Sequence, residues 1–340
     1  MTDGRKKVIV SIIFILFFYL ALEITARIYY STSRGISFFS TPKDQMVMWY
    51  PNLKELYKYN YTEEQFNILL LGGSALTDDW GNIPSEIKKS FEPIVGKQVH
   101  LVNLAAAATN TRDSLFKYLE TIDKKFDLVI VYHGINENRA NNVPRSLWKD
   151  DYSHFSWYNE VNFYQNHSML KKTFSLVPYF VKHLLVQIQR EIISPDKFIS
   201  PHSPRPEWVK YGKETKTATS YKRNLERIIE ISKDKKEPLV IITFCYFDPR
   251  SKDVDKSSAY YDFTKIWGDL DNVVRGINVH NGVIRQIQNQ KISNVICVDL
   301  QSKFPQEKKL FRDICHLTEE GSALFVGNLI SEIEDDERLF

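Results

Sequence analysis

The sequence predicts an α/β protein with a doubly wound, five-stranded, mostly parallel sheet. It also predicts an N-terminal transmembrane helix and a helical, aromatic insert between the third and fourth strands. Three observations carry this. Five short apolar runs, at 66–71, 99–104, 128–132, 239–244 and 295–300, are mostly rich in Val, Ile and Leu with little alternation, as in parallel strands covered on both faces. Helical patterns separate them, which implies right-handed crossovers. A basic start followed by an apolar stretch marks the amino terminus.

That terminus comes first. Residues 8–22 are apolar except for Ser11 and the amphipathic Tyr19, and they follow Arg5, Lys6 and Lys7. This is short of the ~20 residues that cross a bilayer. Extension to Tyr30 supplies the length and puts Glu23 and Arg27 one helical turn apart, where they can pair. Arg27 can snorkel, and Tyr29 and Tyr30 suit an interface. Residues 1–30 therefore read as a cytoplasmic start and a transmembrane signal anchor, with the remainder outside the cytoplasm. A cleaved signal peptide is the rival reading, although the small-residue sites around Ala21 and Ala26 are poorly developed. A buried helix is the third. Residues 31–65 read as a tether, and 66–335 as the main domain.

Within that domain, 109–124 carries Leu115, Tyr118, Leu119 and Ile122 on one helical face. Residues 220–233 carry Tyr221, Leu225, Ile228 and Ile229, and 270–287 carry a third such stripe. The gap between the third and fourth strands requires an insert, at about 140–218. Its aromatic cluster, Trp148, Tyr152, Phe155, Trp157, Tyr158, Phe163 and Tyr164, can grip sugar rings or an acyl chain, or bury the insert against the domain. Trp157 is taken as the candidate substrate contact. The helix-like stretch 169–193, broken by Pro178, packs on the domain or lies on a membrane surface. A connector with Pro195, Pro201, Pro204 and Pro206 closes the insert.

Charge narrows the class. Lys and Arg total 45 against 42 Asp and Glu, a net +3 over 340 residues, without the basic footprint of a nucleic-acid binder. Asp3, Arg5, Lys6 and Lys7 supply +2 of it (−1 and +3), so the excess is mainly a topology signal. Three cysteines allow one disulfide at most, and Cys245 and Cys297 sit in apolar runs as buried thiols. No metal-ligand spacing such as His-Glu-x-x-His occurs around His154.

Doubly wound sheets place their sites at the carboxyl ends of strands. The first strand ends in Gly72-Gly73-Ser74, which reads as an activated hydroxyl at the positive end of a helix or as a turn with an N-cap serine. The third ends in His133-Gly134-Ile135-Asn136, whose Asn amide either stabilises an oxyanion or satisfies loop carbonyls. His133 could touch substrate there or pack. Asp313 and His316 stand three apart before a helix that Thr318 can start. They form a carboxylate–imidazole base for a serine, or a cap beside a surface histidine.

In this order, Gly-Gly-Ser, Gly-x-Asn and Asp-x-x-His resemble the blocks of the SGNH, or GDSL-type, hydrolase family over about residues 66–330. Membrane-anchored bacterial members are the nearest match. The resemblance implies a flavodoxin-like, three-layer architecture, with Ser74 as nucleophile, His316 as general base and Asp313 as its orienting carboxylate. It implies an oxyanion hole made by the N–H groups of Ser74 and Ala108 and by Asn136. Gly73 stands where the commonest first block has Asp, Ala108 where the second has Gly, and Glu137 where the third has Asp. The function so implied is extracytoplasmic acyl transfer or ester hydrolysis on an O-acylated, cell-surface glycan, without cofactor or metal. Protein partners stay open. A lipid esterase or thioesterase, or a non-enzymatic glycan-binding subunit, are the alternatives.

Overall fold

The computed structural model describes residues 3–194, 197, 204–251 and 259–339. Pro195 and Pro201 of the expected connector lie outside them. The chain forms two compact units, Met1–Pro51 with Ser153–Phe198, and Asn52–Tyr152 with Ile199–Phe340. The segment read as a tether is thus divided between the units. Of the segment read as an insert, only the middle belongs to the first.

The second unit holds the sheet. Its strands are β1 (Gln65–Gly72), β2 (Gln98–Asn103), β3 (Leu128–Tyr132), β4 (Leu239–Ile242) and β5 (Val295–Val298). Their order is β2-β1-β3-β4-β5 and every pairing is parallel. The expected doubly wound sheet is present, and it is parallel throughout. Alternate strand residues face opposite layers. Ile68, Leu70, Ile130, Val240, Ile242 and Val298 pack in one core with Ile87 and Phe91 of helix Ile83–Val95 and with Phe325 and Leu329 of helix Glu319–Ile333. The intervening Leu69, Leu71, Val129, Val131 and Ile241 are buried as well. Helices Thr217–Lys235 and Leu270–Gln288 bear out two of the amphipathic patterns; the first is shorter than expected, Thr111–Leu119, and Ile122 lies beyond its end and is exposed.

Helix Ile83–Val95 was not legible, because Pro84 and Pro93 interrupt its pattern. Pro84 sits in the first turn, where its missing N–H costs nothing. Gly96, left-handed at φ 63°, ends the helix. The neighbours β1 and β3 mark where the strand order reverses, and the crevice beyond their carboxyl ends is the natural site of such a sheet.

The first unit is built on helix Asp3–Arg34. Its stretch Gly4–Arg34 is long and apolar enough to cross a membrane. From Val8 to Leu20 every large apolar side chain is exposed, whereas Ala26 and Tyr30 are buried with Leu176 and Phe180. Glu23 and Arg27 form the expected i,i+4 ion pair at 2.7 Å. Glu23 also caps helix Val177–Ile188, accepting from Leu176 N (3.0 Å), Val177 N (3.3 Å) and Ser175 Oγ (2.6 Å). A carboxylate at that helix end offsets orphan N–H groups and the helix dipole. Arg27 donates to the carbonyl oxygens of Phe38 (2.6 Å), Ser40 (3.1 Å) and Phe174 (2.7 Å).

Of the aromatic cluster, Phe155, Tyr158 and Tyr164 are buried in the first unit and Tyr152 in the second. Most of these rings serve packing. His154 is buried beside the Phe155 ring.

Candidate active site

Gly73 leads from β1 into a three-residue 3₁₀ turn, Ser74–Leu76. The expected α-helix N-terminus at Ser74 is absent. Leu76 N closes on Gly73 O (3.1 Å), Thr77 N on Ser74 O (2.9 Å), and Thr77 then turns extended. The next α-helix begins only at Ile83. Gly73 has a steric reason: a Cβ there would lie 2.7 Å from Asn136 Nδ2. A side chain at 73 would require the Asn136 amide to shift.

Asp313 and His316 sit in a tight loop before helix Glu319–Ile333. Arg312 N donates to His316 O (2.7 Å), and Thr318 N to Leu310 O (3.0 Å). Thr318 Oγ1 caps the helix by accepting from Gly321 N (3.1 Å). A side chain at Gly321 would collide with the Leu310 carbonyl, so the glycine lets helix and loop close together.

Inside the loop, Asp313 Oδ1 accepts from Cys315 N (2.8 Å) and His316 N (2.9 Å), and Oδ2 lies 2.6 Å from His316 Nδ1. His316 Nε2 is 2.8 Å from Ser74 Oγ. All three residues are buried, Ser74 keeping 8% exposure. Burial alone would raise the Asp313 carboxyl, but the His316 ring and the two backbone N–H groups outweigh it and hold it below the usual carboxylate range. An ionised Asp313 assigns the proton to Nδ1, which leaves Nε2 to accept from the Ser74 hydroxyl. The arrangement is an oriented base beside a hydroxyl.

The opposite wall comes from the loop after β2. Asn103 shapes it, donating through Nδ2 to Leu76 O (2.7 Å) and accepting from Ala105 N (2.9 Å). Thr109 Oγ1 bonds Gly72 O and Ala106 O, each at 2.8 Å. Ala108 stands at φ 65°, the left-handed region that disfavours an L-residue by roughly 1–2 kcal/mol. It takes the glycine-like conformation and retains its N–H. Among the described residues, neither Ser74 N–H nor Ala108 N–H donates to a protein acceptor. Asn136 directs Nδ2 toward Thr109 O (2.8 Å).

Around this wall lies a buried polar layer that the sequence did not reveal. His133 is 2% exposed and its Nε2 meets Ser114 Oγ at 2.7 Å. Burial, with Lys117 nearby, lowers its pKa to about 3, so the ring is neutral. Its side chain is engaged within the fold. Lys117, wholly buried, donates to Leu104 O (2.7 Å) and is pushed down to about 8 by that burial. Glu137 Oε1 accepts from Thr111 N (2.7 Å), at the start of helix Thr111–Leu119. Burial raises the Glu137 carboxyl to about 7, against the bond from Thr111.

This has a measurable consequence. As pH rises above the ordinary value of 4.5, the unfolded carboxyl ionises while the folded one stays protonated up to about 7. Stability is lost across that window and does not return above it. Glu137→Gln retains the acceptor and cannot ionise. It is expected to raise stability at pH 8 by something on the order of 3 kcal/mol, and to leave it unchanged near pH 4. Thermal melts of both proteins at the two pH values test this; an equal difference at both would show that Glu137 ionises normally.

Two further side chains were invisible in the sequence. The Trp80 ring stacks on His316 with centroids 4.4 Å apart and planes 24° apart. Trp267 Nε1 donates to Asn136 Oδ1 at 2.8 Å. Only proximity to Ser74 in the chain could have suggested Trp80, and no motif marks Trp267. Trp157 lies in the first unit on helix Ser156–Asn166, stacked on Phe155 at 5.2 Å. Among the described residues, Asp313, Cys315 and His316 form a group that could hold a metal. Asp313 and His316 are already bonded to each other, and burial pushes the Cys315 thiol well up. A cation there would have to break the pair.

Ester hydrolases are among the solved structures similar to this chain. An acetyl xylan esterase, AlAXEase, is 12% identical, with a TM-score of 0.43 over 78% of this chain and 99% of its own. A variant of Axe2, an acetyl-xylooligosaccharide esterase from Geobacillus Stearmophilus, is 14% identical, with a TM-score of 0.43 over 82% and 97%. The lipase/acylhydrolase from Enterococcus faecalis is 15% identical, with a TM-score of 0.39 over 79% and 95%. No family model and no curated protein matches the sequence.

Proposed function

We propose that the protein is a membrane-anchored, extracytoplasmic serine esterase or acyltransferase that removes or transfers O-acyl groups, acetyl first among them, on carbohydrate. The observation that carries this reading is the continuous chain from Asp313 Oδ2 to His316 Nδ1 (2.6 Å) and from His316 Nε2 to Ser74 Oγ (2.8 Å).

In this reading Ser74 Oγ attacks the ester carbonyl carbon while its proton passes to His316 Nε2. The carbonyl oxygen becomes an oxyanion and accepts from Ser74 N–H, Ala108 N–H and the second hydrogen of Asn136 Nδ2. Each such donor contributes roughly 100- to 1000-fold to rate. The imidazolium faces the ionised Asp313 on one edge and the Trp80 ring on its face, and a cation–π contact of this kind adds about 0.5–2 kcal/mol. His316 returns the proton to the leaving alkoxide. Water or a sugar hydroxyl then attacks the acyl-Ser74, its proton passing through His316, and Ser74 is restored.

A cavity lined by Ser74, Gly73, Gly134, Asn136 and Phe244 measures about 10 Å³, room for about one water-sized group. Retention of the N-terminal helix is supported by Glu23, whose carboxylate caps helix Val177–Ile188 and would be lost on cleavage near Ala26. The test is to treat the full-length, detergent-solubilised chain with a fluorophosphonate and map the adduct, then compare acetate release from acetylated glycans with hydrolysis of long-chain esters. Labelling of Ser74 and preference for acetyl are expected. Unlabelled Ser74 in folded protein would point to a binding subunit, and preference for long chains to a lipid esterase.

A further inference from the structure

Asn136 can act as an oxyanion donor only if its NH₂ group, rather than its oxygen, faces Ser74. Two fixed partners decide which end is which. The Thr109 carbonyl can only accept, and it takes Nδ2 at 2.8 Å. The Trp267 indole N–H can only donate, and it takes Oδ1 at 2.8 Å from a buried position 131 residues further along the chain. One amide hydrogen remains. A Cβ on Gly73 would lie 2.7 Å from Nδ2, so the nitrogen stands directly over the Gly73-Ser74 backbone.

The indole is itself held from its backbone outward. Trp267 is 3% exposed. Its N–H and that of Gly268 both donate to Thr264 O (2.9 and 3.2 Å). Its carbonyl accepts from Asn142 Nδ2 (2.7 Å), and Asn142 also donates to Asn138 O (3.2 Å). Gly268, at φ 127°, lets Asn142 approach, since a Cβ there would lie 2.7 Å from Asn142 Oδ1. The chain just after Asn136 thus grips the turn that carries Trp267, and the turn returns the indole to Asn136.

We propose that Trp267 is a positioning residue that locks the Asn136 amide with its NH₂ toward Ser74, and so sets one oxyanion donor. This rests on the esterase reading above. Without the indole N–H, the amide can rotate and present oxygen to the developing oxyanion, replacing attraction with repulsion. The flip would also set the Asn136 oxygen against the Thr109 carbonyl, so Thr109 opposes it, and the indole N–H is the second constraint, fixing the oxygen end. The role differs from packing, since it acts on one hydrogen-bonding atom of one partner.

A double-mutant cycle on the full-length chain tests it. Trp267→Phe keeps an aromatic ring and removes the donor. It is expected to lower kcat ~10- to 100-fold with KM little changed, part of the ~100- to 1000-fold expected of Asn136→Ala. The double variant is expected to be no worse than Asn136→Ala, because the second loss acts only through the first. Should Trp267→Phe fold poorly, benzothienylalanine at 267, which exchanges only the N–H for sulfur, gives the same comparison. Losses that multiply, or an unchanged kcat in either single replacement at 267, would overturn the role while leaving the esterase reading intact. A folded parent without turnover overturns both.

Discussion

Ser74→Ala is expected to abolish ester turnover and fluorophosphonate labelling while leaving the fold intact. The expected fall in kcat is roughly ten-thousand- to million-fold, as for loss of a triad nucleophile. The residual rate is what binding and oxyanion donors supply by themselves. The fold is expected to survive because the hydroxyl's bond, to His316 Nε2, contributes little to stability. The backbone of the turn is held independently by Leu76 N and Thr77 N, and alanine fits that turn. Stability should change by less than about 1.5 kcal/mol, the worth of one neutral hydrogen bond. Turnover assays, mass spectrometry of the probe adduct and a melt on the same sample decide it. A labelled, active Ser74→Ala protein would sink the assignment of Ser74.

Asp313→Asn is the second large effect, expected to lower kcat about ten-thousand-fold without a matching rise in KM. The carboxylate does three things at once: it fixes Nδ1 as the protonated nitrogen, it orients the ring, and it offsets the imidazolium charge. An amide can keep Oδ1 on Cys315 N and His316 N, so the loop is expected to stay folded. It can also turn its NH₂ toward Nδ1, which moves the proton to Nε2 and leaves Ser74 without a base. Because the parent carboxyl is held below its usual range, activity in the parent is not expected to fall from protonation of Asp313 near neutral pH. Comparable kcat in parent and variant would show that Asp313 only caps the loop.

The sheet was legible because each strand is a local signal. Runs such as 128–132 are apolar on both faces, and no distant residue is needed to read them. Ser74 and Asn136 were legible because each follows a strand end directly, and Asp313 and His316 because they stand three apart just before a helix that Thr318 caps. What escaped was set by contacts across the chain. Trp267 meets Asn136 from 131 residues away, in a turn without regular pattern. The burial of His133, Lys117 and Glu137 depends on a layer assembled from several segments, and polar residues at strand ends look solvent-exposed until that layer is built. Ser74 was placed at a helix start because Gly-Gly-Ser suits one. The turn closes after three residues, and Pro84 begins the helix later. The aromatic cluster carried no position for its rings, so Tyr158 and Tyr164 read equally well as ligand contacts or as core.

The two units interleave along the chain: neither is complete when the other begins. This sets an order of events during synthesis. Glu23 leaves the ribosome 153 residues before Leu176, the N–H group it caps. At ~5–20 residues per second that is a wait of roughly 8–30 s. Throughout it, the Glu23 carboxylate lacks its distant partner. Arg27, one turn away, is available at once. The ion pair can therefore neutralise the carboxylate before the second segment arrives, and it persists beside the cap in the folded chain.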